Sequence, residues 1–238
     1  MPMILGIDTS AKTASAAICA DGKIIAQTQL NTRLTHSQTA LPMVQALLDC
    51  ATVDIADIDC FAVSAGPGSF TGLRIGITAV KSICFTLNKP CAAVSTLEAL
   101  ARNMTGMDAV VCAAMDARCR QVYTALFEIS DNGAKFSRLT PDEAISVEEL
   151  EGRLKNIDKK IIFVGDGAEL CYNIMKESVE NIAIAPPMLI NQTGYGVCMA
   201  AEAAIEKGET LSAAELMPKY LRLPQAERER MAKLKAEQ

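Results

Sequence analysis

Three short stretches carry residue types that chemistry needs. The first is Gly66-Pro67-Gly68-Ser69-Phe70-Thr71-Gly72-Leu73-Arg74-Ile75-Gly76, which joins an apolar run at 61–65 to a long apolar segment. A glycine-rich turn from a strand into a helix presents free N–H groups and the positive end of the helix dipole, a combination that suits an anion. Gly66, Gly68 and Ser69 are the residues placed to touch one. The spacing matches neither a P-loop, since no Gly-Lys-Ser/Thr ends it, nor the dinucleotide pattern Gly-x-Gly-x-x-Gly. Two readings therefore stay open: ligand contact, or a tight turn needed only for packing. The second stretch is Asp8-Thr9-Ser10 and the third is Asp116-Ala117-Arg118, each closing an apolar run. Close approach to a phosphate needs glycine after the Asp, and both turns lack it. Arg118 can pair an anion or form a salt bridge with the neighbouring Asp. Gly165-Asp166-Gly167 adds a further glycine turn with a carboxylate.

His36 is the only histidine. A zinc hydrolase built on two or three histidines is thereby excluded, and a Ser-His-Asp triad would need His36 itself, with no G-x-S-x-G anywhere. Its place just before a helix favours a polar helix-start role. The nine cysteines include no C-x-x-C pair, which fits scattered buried thiols in a reduced cytosol better than disulfides or a metal site. The residues assign no catalytic group, no metal and no cofactor. A net charge of −5 gives no electrostatic footprint for binding nucleic acid unaided, so a partner would supply the basic surface. No apolar run approaches the roughly 20 residues of a membrane span, and the N-terminus lacks the charge of a signal peptide. The expectation is a cytoplasmic protein.

The elements that must position these residues follow from periodicity. Strands at 4–7, 14–19 and 23–29 form a meander, with Asp21-Gly22 as a hairpin turn. A helix at 37–51 has one stripe of Leu41, Val44 and Leu48 and another of Ala40, Met43, Leu47 and Cys50. The helix at 73–87 has Leu73, Ile77, Val80, Cys84 and Leu87 on one face and Ile75, Ala79, Ile83 and Phe85 outside it. Helices this apolar are covered on more than one side, by the core or by a partner. Beyond 103–108 the pattern restarts: strands at 109–115 and 121–129, a hairpin turn at Asn132-Gly133, then a strand at 160–164 entering the Gly165 turn and a helix. Superposing Asp116 on Asp8 aligns Ala125 with Ala17 and Leu126 with Ile18. This is a duplicated unit. The fold class expected is α/β, two actin-like (ribonuclease H-like) lobes, each a mixed sheet with a β-meander and flanking helices. The lobes span 1–104 and 105–224, with the last helix free to pack back on the first lobe, and 225–238 is a charged tail. In the actin-like architecture a nucleotide binds between the copies, with the two Asp-bearing turns holding metal and phosphates.

The chain resembles the TsaB (YeaZ) family of bacterial tRNA threonylcarbamoyladenosine biosynthesis subunits. The resemblance runs over residues 3–222. It rests on Ile4-Leu5-Gly6-Ile7-Asp8-Thr9-Ser10, His36-Ser37, the stretch from Gly66 to Gly76, Val94-Ser95-Thr96-Leu97-Glu98-Ala99-Leu100-Ala101, Asp116-Ala117-Arg118, Val122-Tyr123, Gly165-Asp166-Gly167 and Pro218-Lys219-Tyr220-Leu221-Arg222. Cys119 stands where the family more often has arginine. The resemblance implies a non-catalytic scaffold that pairs with a TsaD-like catalytic subunit, or with itself when alone, joined by a TsaE-like ATPase. It implies that tRNA is met only through the complex. Because two first-lobe helices have more apolar surface than one core face needs, Ala40, Met43, Leu47, Arg74, Ile75, Thr78, Ala79 and Ser82 are expected at the pairing surface. An actin-like phosphotransferase or ATPase is the alternative, and a peptidase the remote one.

Overall fold

The computed structural model describes residues 2–222. Strands β1 (Ile4–Asp8), β2 (Ala14–Ala20) and β3 (Lys23–Leu30) form an antiparallel meander. Strands β4 (Cys60–Gly66) and β5 (Cys91–Ser95) add in parallel on the other side of β1. The second sheet is built alike. Its meander is β6 (Ala109–Asp116), β7 (Gln121–Ser130) and β8 (Lys135–Arg138); β10 (Ile161–Val164) and β11 (Ile182–Ile184) follow in parallel beyond β6, and β9 (Glu143–Ser146) pairs with β7. The strand orders, β3-β2-β1-β4-β5 and β8-β7-β6-β10-β11, are the same order twice. The duplication read from the sequence is therefore present, with one correction. Asp8 pairs with Ser15, but Asp116 pairs with Val122, so the second turn is one residue shorter. Ile18 is matched by Ala125 across the two ladders, not by Leu126. A constant offset cannot survive a turn that changes length.

The helices are α1 (His36–Ala51), α2 (Phe70–Leu87), α3 (Thr96–Arg102), α4 (Val147–Leu154), α5 (Ala168–Met175) and α6 (Gly194–Glu206). One face of the first sheet packs on α1 and α2 through Leu5, Ile7, Ile18, Phe61 and Val63. Its other face packs on α6, where Ile4, Ala17 and Ala62 meet Val197 and Ala201. Helix α3 sits between the sheets, with Leu97 and Leu100 against Val111 and Phe127 of the second. The second sheet's outer face is covered by α4 and α5 through Leu150, Phe163 and Cys171.

Helix α1 buries a single stripe, Ala40, Met43, Val44, Leu47 and Leu48, while Leu41 is 54% exposed. The two stripes expected from periodicity were divided wrongly. The sheet on one side and α2 on the other use up Met43 and Leu47 along with Val44 and Leu48, all within one core. Helix α2 buries Leu73, Ile77, Ala79, Val80 and Cys84 and leaves Phe85 82% exposed. Among the described residues α2 is the one helix long and apolar enough to cross a membrane, with mean hydropathy 1.3 and 39% of that stretch buried. The expectation that no such run exists began the apolar segment too late, since the helix starts within the glycine turn. Residues 225–238, read as a charged tail, lie outside the described residues.

Candidate functional site

The glycine turn is occupied by the chain's own backbone. Ser69 caps α2, its Oγ accepting from the Gly72 N–H at 3.2 Å. Gly72 and Gly76 share one face of the first turns of α2, Gly68 stands just before its cap, and the Thr9-Ser10 turn lies against all three. A Cβ on Gly68 would stand 2.6 Å from the Ser10 carbonyl oxygen, and one on Gly76 would stand 2.5 Å from Thr9 Oγ1. Thr9 Oγ1 donates to the Gly72 carbonyl at 2.8 Å, and the Ser69 N–H donates to the Ser10 carbonyl at 2.7 Å. The spacing of these glycines is thus explained by packing, the second of the two readings left open above.

Asp8 is fully buried. Its carboxylate accepts from the Ser10 N–H at 2.8 Å, from Ser10 Oγ at 2.7 Å and from Ser64 Oγ. Burial pushes the carboxyl above its ordinary range, and these hydrogen bonds oppose the shift. With its oxygens committed inward, Asp8 is not among the groups that face the space between the sheets.

That space is a cavity of about 410 Å³. Of the nine cleft candidates, Ser10, Gly68, Ser69, Asp116, Arg118 and Asp166 line it. Asp8, Thr9 and Gly66 do not: the first two turn into the first lobe, and Gly66 (φ 132°) backs against the Lys219 carbonyl. Asp116 and Asp166 are adjacent, the Asp116 N–H donating to Asp166 Oδ1 at 3.3 Å. Asp166 opens onto the cavity, yet the walls around its carboxyl and the nearby charge of Asp116 push it up. Arg118, Cys119 and Arg120 follow in left-handed backbone, at φ of 68°, 53° and 56°. This tight turn lets the Arg118 N–H and guanidinium both reach Asp116, at 2.7 and 3.4 Å. The salt-bridge reading of Arg118 is the arrangement present. Lys12, Lys219 and Arg222 also line the cavity, so four cations face two carboxylates. Such a lining suits a small anionic or zwitterionic group and supplies no nucleophile–base pair.

The sequence reading did not anticipate how the chain's last described residues cross this cleft. The Lys219 N–H donates to the Ala65 carbonyl at 2.7 Å. The Tyr220 ring stacks on Phe70, centroids 4.2 Å apart, and its hydroxyl accepts from Arg74 Nε at 3.0 Å. The Arg74 guanidinium lies 4.0 Å over Phe70. Arg222 Nη1 donates to the Ala117 carbonyl at 3.0 Å. One strap therefore holds the first sheet at Ala65 and the second lobe at Ala117. The sequence marked Pro218-Lys219-Tyr220-Leu221-Arg222 as a docked extended segment but not what it docks on.

A second candidate surface lies between α1 and α2, an apolar groove of about 540 Å³. Ala40, Arg74, Ile75, Thr78, Ala79 and Ser82 line it, as do Leu41, Ile83 and His36. Met43 and Leu47 do not, because both are core residues 5% exposed. His36 Nε2 donates to the Ala11 carbonyl at 2.7 Å, tying the start of α1 to the β1–β2 turn. Among the described residues no group of three or more His, Cys, Asp or Glu is placed to hold a metal ion.

Comparison with known proteins gives a consistent result. The model of the TsaD family, tRNA N6-adenosine threonylcarbamoyltransferase, matches residues 23–230. The chain is 32% identical over 226 residues to the tRNA threonylcarbamoyladenosine biosynthesis protein TsaB of Bacillus subtilis (strain 168), covering 94% of this chain and 96% of the relative. It is 30% identical to TsaB of Escherichia coli (strain K12), covering 92% and 94%. The structure of YeaZ from Pseudomonas aeruginosa superposes with a TM-score of 0.75 at 26% identity, covering 93% of this chain and 100% of that one. Component A of (R)-2-hydroxyglutaryl-CoA dehydratase from Acidaminococcus fermentans shares the fold alone, at 12% identity and a TM-score of 0.50 over 90% of this chain and 100% of that one. The fold is the two-sheet α/β architecture expected from the sequence, the same strand order occurring twice.

Proposed function

Because the chain belongs to the TsaB (YeaZ) family, we propose that it acts in tRNA threonylcarbamoyladenosine biosynthesis as a non-catalytic subunit. Its partner is a TsaD-like catalytic subunit, with a TsaE-like ATPase joining them; alone it pairs with itself. The observation that carries the scaffold reading is the internal use of the would-be phosphate loop. The glycine turn cradles Thr9 and Ser10, and Asp8 is satisfied by Ser10 and Ser64. The pairing surface is the groove between α1 and α2, where Ile75, Leu41 and Ile83 offer apolar contact beside the charge of Arg74. A partner helix laid there would cover surface that the protein's own core leaves open. tRNA is reached through the partner, in keeping with a net charge of −5.

A second reading keeps a ligand in the cleft, because Asp116, Asp166, Arg118 and Lys12 face a cavity of about 410 Å³. One experiment separates the two. Formation of threonylcarbamoyladenosine on tRNA is measured with the other subunits, with and without this chain. Ile75→Glu should abolish both pairing and stimulation while the protein stays folded. The double variant Asp116→Ala Asp166→Ala should pair and stimulate as the parent does. If that variant pairs but does not stimulate, the cleft binds something the reaction needs. If the reaction proceeds fully without this chain, the subunit role is refuted.

A further inference from the structure

Helix α2 carries two charged side chains, Arg74 and Lys81, and both hold the chain's last described segment. Lys81 Nζ donates to the Ala214 and Leu216 carbonyls, both at 3.3 Å. Two turns nearer the helix start, Arg74 Nε donates to the Tyr220 hydroxyl at 3.0 Å. The Arg74 guanidinium also lies 4.0 Å over the Phe70 ring, on which Tyr220 stacks.

Arg74 faces a second way. It lines the groove between α1 and α2, where it is the one Lys or Arg among apolar and small polar side chains. His36 lines the same groove but is taken by the Ala11 carbonyl. Phe70 and Tyr220 line the cleft cavity instead, and the two cavities have no lining residue in common. A single guanidinium thus stands between them. Its Nε is used on the cleft side, while its Nη hydrogens have no acceptor among the described residues.

We propose that Arg74 couples the two cavities: covering the groove tightens the strap across the cleft, and a tight strap favours covering the groove. This rests on the pairing surface proposed above. The occupant is that partner, presenting an apolar helix face with a carboxylate opposite the Nη hydrogens of Arg74. The effect runs both ways. A partner on the groove excludes the water that competes for the bond between Arg74 and Tyr220, and a hydrogen bond in drier surroundings is stronger. In the other direction, Phe70 and Tyr220 hold the guanidinium in place, so less side-chain freedom remains for the partner to remove. Linkage makes the two effects equal in size.

The test measures the Kd of the full chain for the TsaD-like subunit by isothermal titration calorimetry. Tyr220→Phe keeps a ring on Phe70 and removes only the hydroxyl. It should weaken pairing about three- to tenfold, the scale of one ordinary hydrogen bond, although Tyr220 does not line the groove. In an Arg74→Ala background the same change should leave Kd unaltered. Hydrogen exchange reads the other direction at the Lys219 N–H, which donates to the Ala65 carbonyl. Saturating partner should slow its exchange by a similar factor in the parent and not in Tyr220→Phe. The inference is overturned if Tyr220→Phe pairs as the parent does. It is overturned equally if Tyr220→Phe weakens pairing as much without Arg74, because Tyr220 then touches the partner itself. Ile75→Glu is run alongside. Loss of pairing there, with Tyr220→Phe unaffected, removes the coupling and leaves the pairing surface standing. Pairing retained there removes both.

Discussion

Replacing Gly72 with alanine tests the account of the glycine turn directly. An ideal Cβ at Gly72 would lie 2.0 Å from the Thr9 carbonyl oxygen, 3.2 Å from its carbon and 3.3 Å from Ser69 Cβ. A carbon and a carbonyl oxygen normally rest about 3.3 Å apart, so the turn or the helix start must move by roughly 1 Å. Neither is free to do so. The Thr9 Oγ1 bond to Gly72 O and the Ser69 N bond to Ser10 O clamp them together. Overpacking costs about 1–3 kcal/mol, and stretching two hydrogen bonds adds about 1 kcal/mol each. Alanine's better helix propensity returns at most about 1 kcal/mol. Gly72→Ala should therefore destabilise the protein by about 2–4 kcal/mol, lowering Tm by roughly 5–15 °C in a chain of this length. Gly152 in α4 is the matched control, being exposed with nothing within 4 Å of its ideal Cβ. Gly152→Ala should stabilise by about 0.5–1 kcal/mol. Both are read by thermal and urea denaturation followed by circular dichroism. If Gly72→Ala is as stable as the parent, the close approach of Thr9 does not explain the glycine, and the ligand-contact reading returns.

Leu47→Glu should abolish folding, since it buries a charge in the core beneath α1 at a cost of about 3–5 kcal/mol, whereas Ile75→Glu should leave the melting curve within about 1 kcal/mol of the parent; equal loss in both would overturn the assignment of faces. The pH dependence of stability should carry the mark of Asp8. Its folded pKa is raised, so the folded state binds the extra proton, and stability falls as pH rises from about 4 to that raised value and is flat above it. Asp8→Asn removes this slope, so its stability relative to the parent should grow with pH across that window; a constant difference in urea titrations would refute the point. Tyr220→Ala removes the stack on Phe70 and the partner of Arg74. It should cost about 1 kcal/mol and quicken hydrogen exchange in 218–222, and unchanged exchange would mean that the strap is held elsewhere.

The architecture was legible because each sheet opens with short apolar strands broken by hairpin signals, and because the glycine turn stands between a buried strand and a helix. The glycine turn was legible as a strand-to-helix turn, but whether its glycines faced a ligand or the chain's own backbone was not, because that depends on the Thr9-Ser10 turn packing against them. What was illegible depended on neighbours. Periodicity gives the angle between Leu41 and Met43 on α1 but does not say that α2 covers the second direction. The one-residue difference between the two Asp-bearing turns is invisible until the ladders are seen. The strap depends on contacts more than 100 residues apart, 146 between Arg74 and Tyr220 and 105 between Ala117 and Arg222.

The strap has a consequence for the order in which the molecule comes into being. Among the described residues both sheets and the six α-helices precede residue 207, whereas the contacts that join Ala65 and Ala117 across the cleft are made by Lys219 and Arg222. A chain leaving the ribosome from its N-terminus can complete each sheet before those contacts exist. The lobes are then clasped only after both sheets have been made. A message cut short before codon 218 would yield two well-packed lobes whose mutual placement lacks this clasp.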